Sequence, residues 1–159
     1  GIERAKNHSI NYKIINHVKF QSREDFDQAL VDALKVSKPD LVVLAGFMRI
    51  LTPVMTKAFK NKIINIHPSL LPKYPGLDTH NSVINNGDLK HGITIHYVNE
   101  VLDGGEIIAQ GEISLSTNET LEDLKARIHS IEHVMLPKVV SKFADGTINT
   151  KKIIYEKFK

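Results

Sequence analysis

Asn65 and His67 stand two residues apart in an isoleucine-rich run, Ile63-Ile-Asn65-Ile-His67. On an extended strand that spacing turns both side chains to one face. A polar pair among isoleucines needs hydrogen-bond partners or water wherever it is buried. The pair falls at the carboxyl end of the run, where open α/β sheets gather their ligands. Further along, Asp103-Gly104-Gly105 puts a carboxylate on a loop whose glycines let the backbone approach a ligand, and Asp103 can reach back towards His67. A carboxylate beside an imidazole favours the protonated ring near neutrality, which makes the ring a charged hydrogen-bond donor. Each feature also has a plain structural reading: a satisfied histidine at a strand end, and a hairpin turn. The unusual loop Pro68-Ser-Leu-Leu-Pro72 weighs towards the chemical one. Ser69 follows the histidine without a separate base and reads as loop structure.

The elements that must hold these residues follow from periodicity. Residues 1–6 read as helical, with no capping side chain before them, and residues 12–15 as a short apolar strand. Ser22-Arg-Glu-Asp25 has the spacing of a capping box, with Asp in place of Glu. Phe26, Leu30, Val31 and Leu34 then recur with a helical period, which ends before Pro39. Residues 40–46 form a continuous apolar run, suited to a strand buried on both faces of a parallel sheet. Pro53 opens a helix reaching Phe59, and residues 62–67 make the strand that carries the Asn–His pair. A proline-rich loop at 68–75 and a short helix at 80–86 lead to an alternating strand, 92–99, whose hairpin partner is 106–115. Thr120, or Asn118 before it, starts a long helix through Phe143 that Pro137 should kink or shift. A last short strand is expected at 153–155. This order predicts an α/β fold: a mostly parallel twisted sheet with helices on both faces and an antiparallel C-terminal hairpin, in one domain over residues 1–159.

The whole chain fits that picture. Its 159 residues suit one compact core, and 42% hydrophobic with 25% charged residues is ordinary for a globular protein. No apolar run reaches the length of a membrane span and no secretory pattern opens the chain, so no membrane partner is expected. A chain without cysteine has no disulfide framework or thiolate cluster, which fits the cytoplasm. The net charge of +3 comes from scattered lysines without interleaved aromatics. That is a solvated surface rather than a nucleic-acid footprint.

Three longer strings then resemble a known family. They are Asn65-Ile-His67-Pro-Ser-Leu-Leu-Pro72-Lys-Tyr-Pro-Gly76, then Gly87-Asp88-x-x-His91-Gly92, then Leu102-Asp103-Gly-Gly105-x-Ile-Ile-x-Gln110. Together with Ala45-Gly-Phe-Met-Arg-Ile-Leu51 and Ile131-Glu132-His133, they resemble the folate-dependent glycinamide ribonucleotide formyltransferases of purine biosynthesis, in order from Gly1 to about Gly146. The resemblance implies a Rossmann-like fold and transfer of a formyl group from 10-formyltetrahydrofolate, the co-substrate, to the amine of glycinamide ribonucleotide. It implies small-molecule partners only, and allows a homodimer. By position, Asn65 would hydrogen-bond the formyl oxygen, and His67 would be the protonated partner of the developing oxyanion. Asp103 would keep His67 charged and help a water accept the amine proton. Arg23, Met48, Arg49, Ile50 and Leu51, with Asn99, Glu100, Val101, Leu102 and Asp103, would hold the folate. His129, Ser130, Ile131 and Glu132 would lie at the ribonucleotide. By the residues alone, Arg23 and Glu132 read equally well as surface charges.

The family also has a strand running into a Gly-containing loop at a helix start, which cradles the substrate phosphate. Nothing within residues 1–159 matches that segment, so it and the strands around it are expected before Gly1. Two other functions stay open on this reading: a formyltetrahydrofolate hydrolase, with water replacing the amine, and a folate-binding module without turnover. His67, His80, His91, His96 and Asp103 supply side chains for a metal site, but no helical two-histidine motif accompanies them. No metal is expected.

Overall fold

The computed structural model describes residues 1–148 and 153–158. After helix α1 (Ile2–Asn7) and a 3₁₀ turn (His17–Lys19), α2 (Arg23–Ser37) begins at the capping box. There the Ser22 hydroxyl accepts from the Asp25 N–H at 3.0 Å and donates to the Asp25 carboxylate at 2.7 Å. The helix ends at Lys38, whose φ of 48° is left-handed, just before Pro39. Strand β1 (Val42–Leu44), helix α3 (Pro53–Ala58) and strand β2 (Ile63–His67) follow, with Pro53 in the first turn of α3 as its missing N–H allows. Then come α4 (Thr79–Asn85), β3 (Lys90–Tyr97), β4 (Ile107–Ser114), α5 (Leu121–Ala144) and β5 (Ile154–Phe158).

The described strands pair in chain order, β1 to β5. The expected α/β architecture is the observed one, but the sheet is mixed rather than mostly parallel. β1–β2 and β4–β5 are parallel, whereas β2–β3 and β3–β4 are antiparallel. The connection between β3 and β4 is short enough to fold back as a hairpin, which forces the antiparallel sense.

Alternation along β2 divides the core. Ile64 and Ile66 join Ile93, Ile95, Ile113 and the buried face of α5 (Leu124, Ile128, Ile131, Met135 and Val139). Ile63 points the other way, into a second cluster with Val31, Val42, Leu51, Met55 and Phe59. Helices therefore cover both faces, and Asn65 and His67 share the direction of Ile63.

Two local expectations are corrected. Residues 12–15 form no strand; Tyr12 and Ile14 are exposed, so this apolar run finds no sheet edge to pair with. β1 is not buried on both faces, because Val43 is 36% exposed while Val42 is covered. α5 runs continuously through Pro137. The proline lies on the exposed side of the helix, where solvent can satisfy the carbonyl that loses its donor.

Candidate active site

Parallel pairing sets Leu44 of β1 beside Asn65, and antiparallel pairing sets His96 of β3 directly opposite Asn65. These strand ends open into a cleft of about 1460 Å³. At its head lies one cluster of polar groups. The Asn65 Nδ2 atom is 3.3 Å from Nε2 of His96. Asp103 lies between two rings, its Oδ2 at 3.5 Å from Nδ1 of His67 and its Oδ1 at 3.6 Å from Nε2 of His96. His67, His96 and Asp103 have side chains 6%, 2% and 9% exposed, so the Asp103 carboxylate lies in a poorly hydrated place.

The loop after β2 completes the cluster with main-chain atoms. The Nε2–H of His67 donates to the Tyr74 carbonyl at 2.8 Å, and the Gly76 N–H donates to Asp103 Oδ2 at 2.8 Å. Ser69 is fully buried, and its hydroxyl is directed at the carbonyls of Lys73 and Tyr74, so it is loop structure as expected. Thr94 Oγ1 donates to the Ser69 carbonyl and accepts from the Leu71 N–H, while Gln110 holds both Thr94 and the Leu71 carbonyl. The Tyr74 hydroxyl donates to Asp88, which Lys73 also contacts. That hydrogen bond from Lys73, with smaller help from Tyr74, holds the Asp88 carboxyl below its usual range.

The walls differ in character. On one side stand residues 48–51 and 99–102, with Met48, Ile50, Val101 and Leu102 at least half exposed. Exposed apolar side chains flanking a concave site suit a flat organic ligand. Arg23 lies at the first turn of α2 on the same cleft, and the Arg49 guanidinium sits over the Phe26 ring. Buried Asp27 of α2 accepts from the Thr52 N–H at 2.6 Å and the Thr52 hydroxyl at 2.8 Å, which ties this wall to the helix behind it.

The opposite wall comes from α5 and α4: His80, His129, Glu132 and His133. Burial pushes the Glu132 carboxyl up, against the opposing pull of His129 and His133. Burial likewise lowers His80, helped by Lys125 and His129.

Of the residues singled out from sequence, Arg23, Met48, Arg49, Ile50, Leu51, Asn65, His67, Asn99, Glu100, Val101, Leu102, Asp103, His129 and Glu132 all line this cleft. Ser130 and Ile131 do not. On a helix, positions 129, 132 and 133 share a face, whereas Ile131 is 3% exposed in the core and Ser130 turns to solvent, bonded to the Ala126 carbonyl. Four consecutive residues span both faces of the helix, and only the face of 129, 132 and 133 meets the cleft. From sequence, His96 and His80 stand out only as side chains for a metal site that is not expected, and not as parts of this cleft. The one signal for His96 was its place in an alternating strand, and its partner depended on a register that the sequence does not reveal. Among the described residues no group of three or more His, Cys, Asp or Glu side chains is arranged to hold a metal ion, and no helix is long and apolar enough to cross a membrane.

Behind His80 lies His91, 1% exposed, with Nε2 at 3.0 Å from His80 Nδ1. Burial, then the neighbouring His80, pushes His91 down from 6.5 to about 4. Its pKa is depressed in the folded state, so between pH 6.5 and about 4 the unfolded chain binds a proton that the folded chain refuses. The associated stability is complete above pH 6.5 and is lost as pH falls towards 4. Urea unfolding at pH 7.5 and 5.0 is expected to show a loss of about 1–2 kcal/mol from this group. His91→Asn should remove most of that difference; an unchanged difference in the variant would assign the acid sensitivity elsewhere.

Comparison with known proteins agrees with this geometry. Residues 1–140 match the family model described as formyl transferase. The phosphoribosylglycinamide formyltransferase of Escherichia coli (strain K12) is 43% identical over 148 residues, covering 93% of this chain and 70% of that protein. The corresponding protein of Bacillus subtilis (strain 168) is 40% identical over 139 residues, covering 87% and 71%. The solved phosphoribosylglycinamide formyltransferase of Coxiella burnetii superposes with a TM-score of 0.87 at 44% identity, over 92% of this chain and 69% of that one. The Rossmann-like fold expected from the motifs is therefore shared with solved relatives, and the chain belongs to the formyl transferase family.

Proposed function

We propose that this protein, as one domain, transfers a formyl group from 10-formyltetrahydrofolate to the amine of glycinamide ribonucleotide in purine biosynthesis, in the cytoplasm. The observation that carries this reading is the meeting of Asn65, His67 and Asp103 at the head of a cleft with one apolar wall and one polar wall. The exposed apolar side chains of residues 48–51 and 99–102 suit the flat ring of the folate, with Arg23 at the same wall. His129 and Glu132 suit the ribonucleotide.

The formyl folate, when bound, supplies an electrophilic carbonyl carbon. As the amine attacks, negative charge grows on the formyl oxygen, and donors placed there lower the barrier more than they tighten binding. Asn65 offers the Nδ2–H not taken by His96. His67 offers Nδ1–H, because its 3.5 Å separation from Asp103 is too long for a charge-assisted bond and leaves that proton available to an incoming oxygen. Asp103 takes the amine proton through a water, and as the tetrahedral centre collapses the bond to folate N10 breaks and that proton passes to N10. The orientation of Asp103 is fixed by the Gly76 N–H.

Incubation of the purified protein with 10-formyltetrahydrofolate, with and without glycinamide ribonucleotide, tests the reading. Formylated ribonucleotide and folate product should appear together, in equal amounts, only when the ribonucleotide is present. Formate release at the same rate without it would instead make the protein a hydrolase, and folate binding without turnover would make it a binding module.

A further inference from the structure

We propose that His96 is a positioning residue that acts through Asn65: its unprotonated Nε2 fixes the orientation of the Asn65 amide, so that the free Nδ2–H faces the oxygen of the transferred group. This rests on the functional reading above for the identity of that oxygen, but not for the orientation itself.

The geometry is restrictive. His96 Nδ1 lies 2.8 Å from the Tyr97 carbonyl, and a carbonyl only accepts, so Nδ1 carries a proton. Burial lowers the His96 pKa, against the opposing pulls of the Tyr97 carbonyl and Asp103. The ring therefore holds a single proton near neutrality, and Nε2 presents a lone pair.

Asn65 Nδ2, at 3.3 Å, is the donor facing that lone pair. Exchanging the oxygen and nitrogen of the amide would set two acceptors against each other. Asp103 Oδ1, at 3.6 Å from Nε2, lies beyond hydrogen-bond reach. Its charge and that of His67 pull on the ring in opposite directions.

The strands supply the aim. His96 is directly opposite Asn65, and the pairing of β3 with β4 shifts register between Ile95 and His96. Ile95 pairs with Ala109 and His96 with Ile107, so Ile108 is an extra residue on β4. Such bulges re-aim neighbouring side chains.

Without the acceptor, the Asn65 amide can present its oxygen to the growing negative charge as readily as its N–H. The loss then falls on the transition state rather than on folate affinity. His96→Phe should lower kcat about 10–100-fold, with KM for the formyl folate within about threefold. His96→Gln, whose amide oxygen can serve as acceptor, should recover most of that loss. In an Asn65→Ala background, His96→Phe should cost less than about threefold, since nothing remains for it to orient.

Long-range ¹H–¹⁵N spectra of the unaltered protein should show the Nδ1–H tautomer of His96 from pH 6 to 8. The Asn65 side-chain amide signals should change markedly in His96→Phe or, if that variant does not fold, in His96→Leu. An Nε2–H tautomer, an unmoved Asn65 amide, or a full His96→Phe loss in the Asn65→Ala background would overturn the assignment. If the unaltered protein transfers no formyl group, the functional reading fails. The tautomer and the Asn65 signals still decide the role of His96.

Discussion

Replacing His67 by alanine is expected to slow formyl transfer by about 10²–10³-fold, as loss of one oxyanion donor does elsewhere. Asn65→Ala should fall in the same range, while affinity for an unreactive formyl-folate analogue stays within about tenfold in both variants. The separation follows from where these residues stand. The folate-facing wall is built from residues 48–51 and 99–102, which neither substitution touches. The loop above the site also outlasts the change, because Ser69 remains directed at the Tyr74 carbonyl that His67 releases. What disappears is an interaction made fully only as charge builds on the formyl oxygen, so kcat falls and binding holds. Near-normal kcat in either variant would remove that residue from the chemistry, and a collapse of analogue binding would make its role structural.

A second large effect is expected from one methyl group outside the polar cluster. A Cβ placed on Gly105 would lie 1.6 Å from the Tyr97 carbonyl oxygen, a main-chain atom that cannot swing aside. That same carbonyl accepts the proton of His96 Nδ1, and the turn just before Gly105 carries Asp103, whose φ of 49° is itself left-handed. Gly105→Ala must therefore push apart β3 and the loop, moving His96 and Asp103 together. Displacements of about 1 Å in such sites can cost about 10²-fold in rate, and overpacking typically costs about 1–3 kcal/mol. Gly104→Ala is the informative comparison. Its Cβ would meet Val101 Cγ1 at 2.6 Å and Cβ at 2.9 Å; rotation of this 65% exposed side chain relieves the first contact and a small shift of the loop the second, without moving β3. Parallel measurements of kcat and thermal midpoint should show a large loss for Gly105→Ala and a mild one for Gly104→Ala; equal effects would mean that the loop yields at both places.

The contrast between Asn65 and His96 shows how much of the site was legible in the sequence. Asn65 and His67 could be read as neighbours because a strand's period of two is a local property. The capping box at Ser22 and the proline start of α3 are local too, and both formed as expected. His96 faces Asn65 only through the register of β2 against β3, and through a bulge that no local pattern announces. Contacts of that kind depend on long-range packing. The same limit explains residues 12–15, whose apolar side chains promised a strand that needs an edge to pair with, and Val43, whose burial depended on what lies across it. Ser130 lies off the cleft for a different reason: four consecutive positions cannot share one face of a helix.

The closest partners of His67 and Asp103 in the loop are a carbonyl and an amide, those of Tyr74 and Gly76. Tyr74, Gly76 and Asp103 all have positive φ, at 55°, 83° and 49°. Every residue has the carbonyl, and every residue but proline the N–H, that make these two contacts, so hardly any change of side chain deletes them directly. They are lost when the path of the chain changes. Heritable constraint at this corner therefore falls on backbone shape more than on functional groups, and Tyr74 answers to it twice: its carbonyl meets the histidine, while its hydroxyl, anchored on Asp88, keeps the loop in the conformation that brings the carbonyl there.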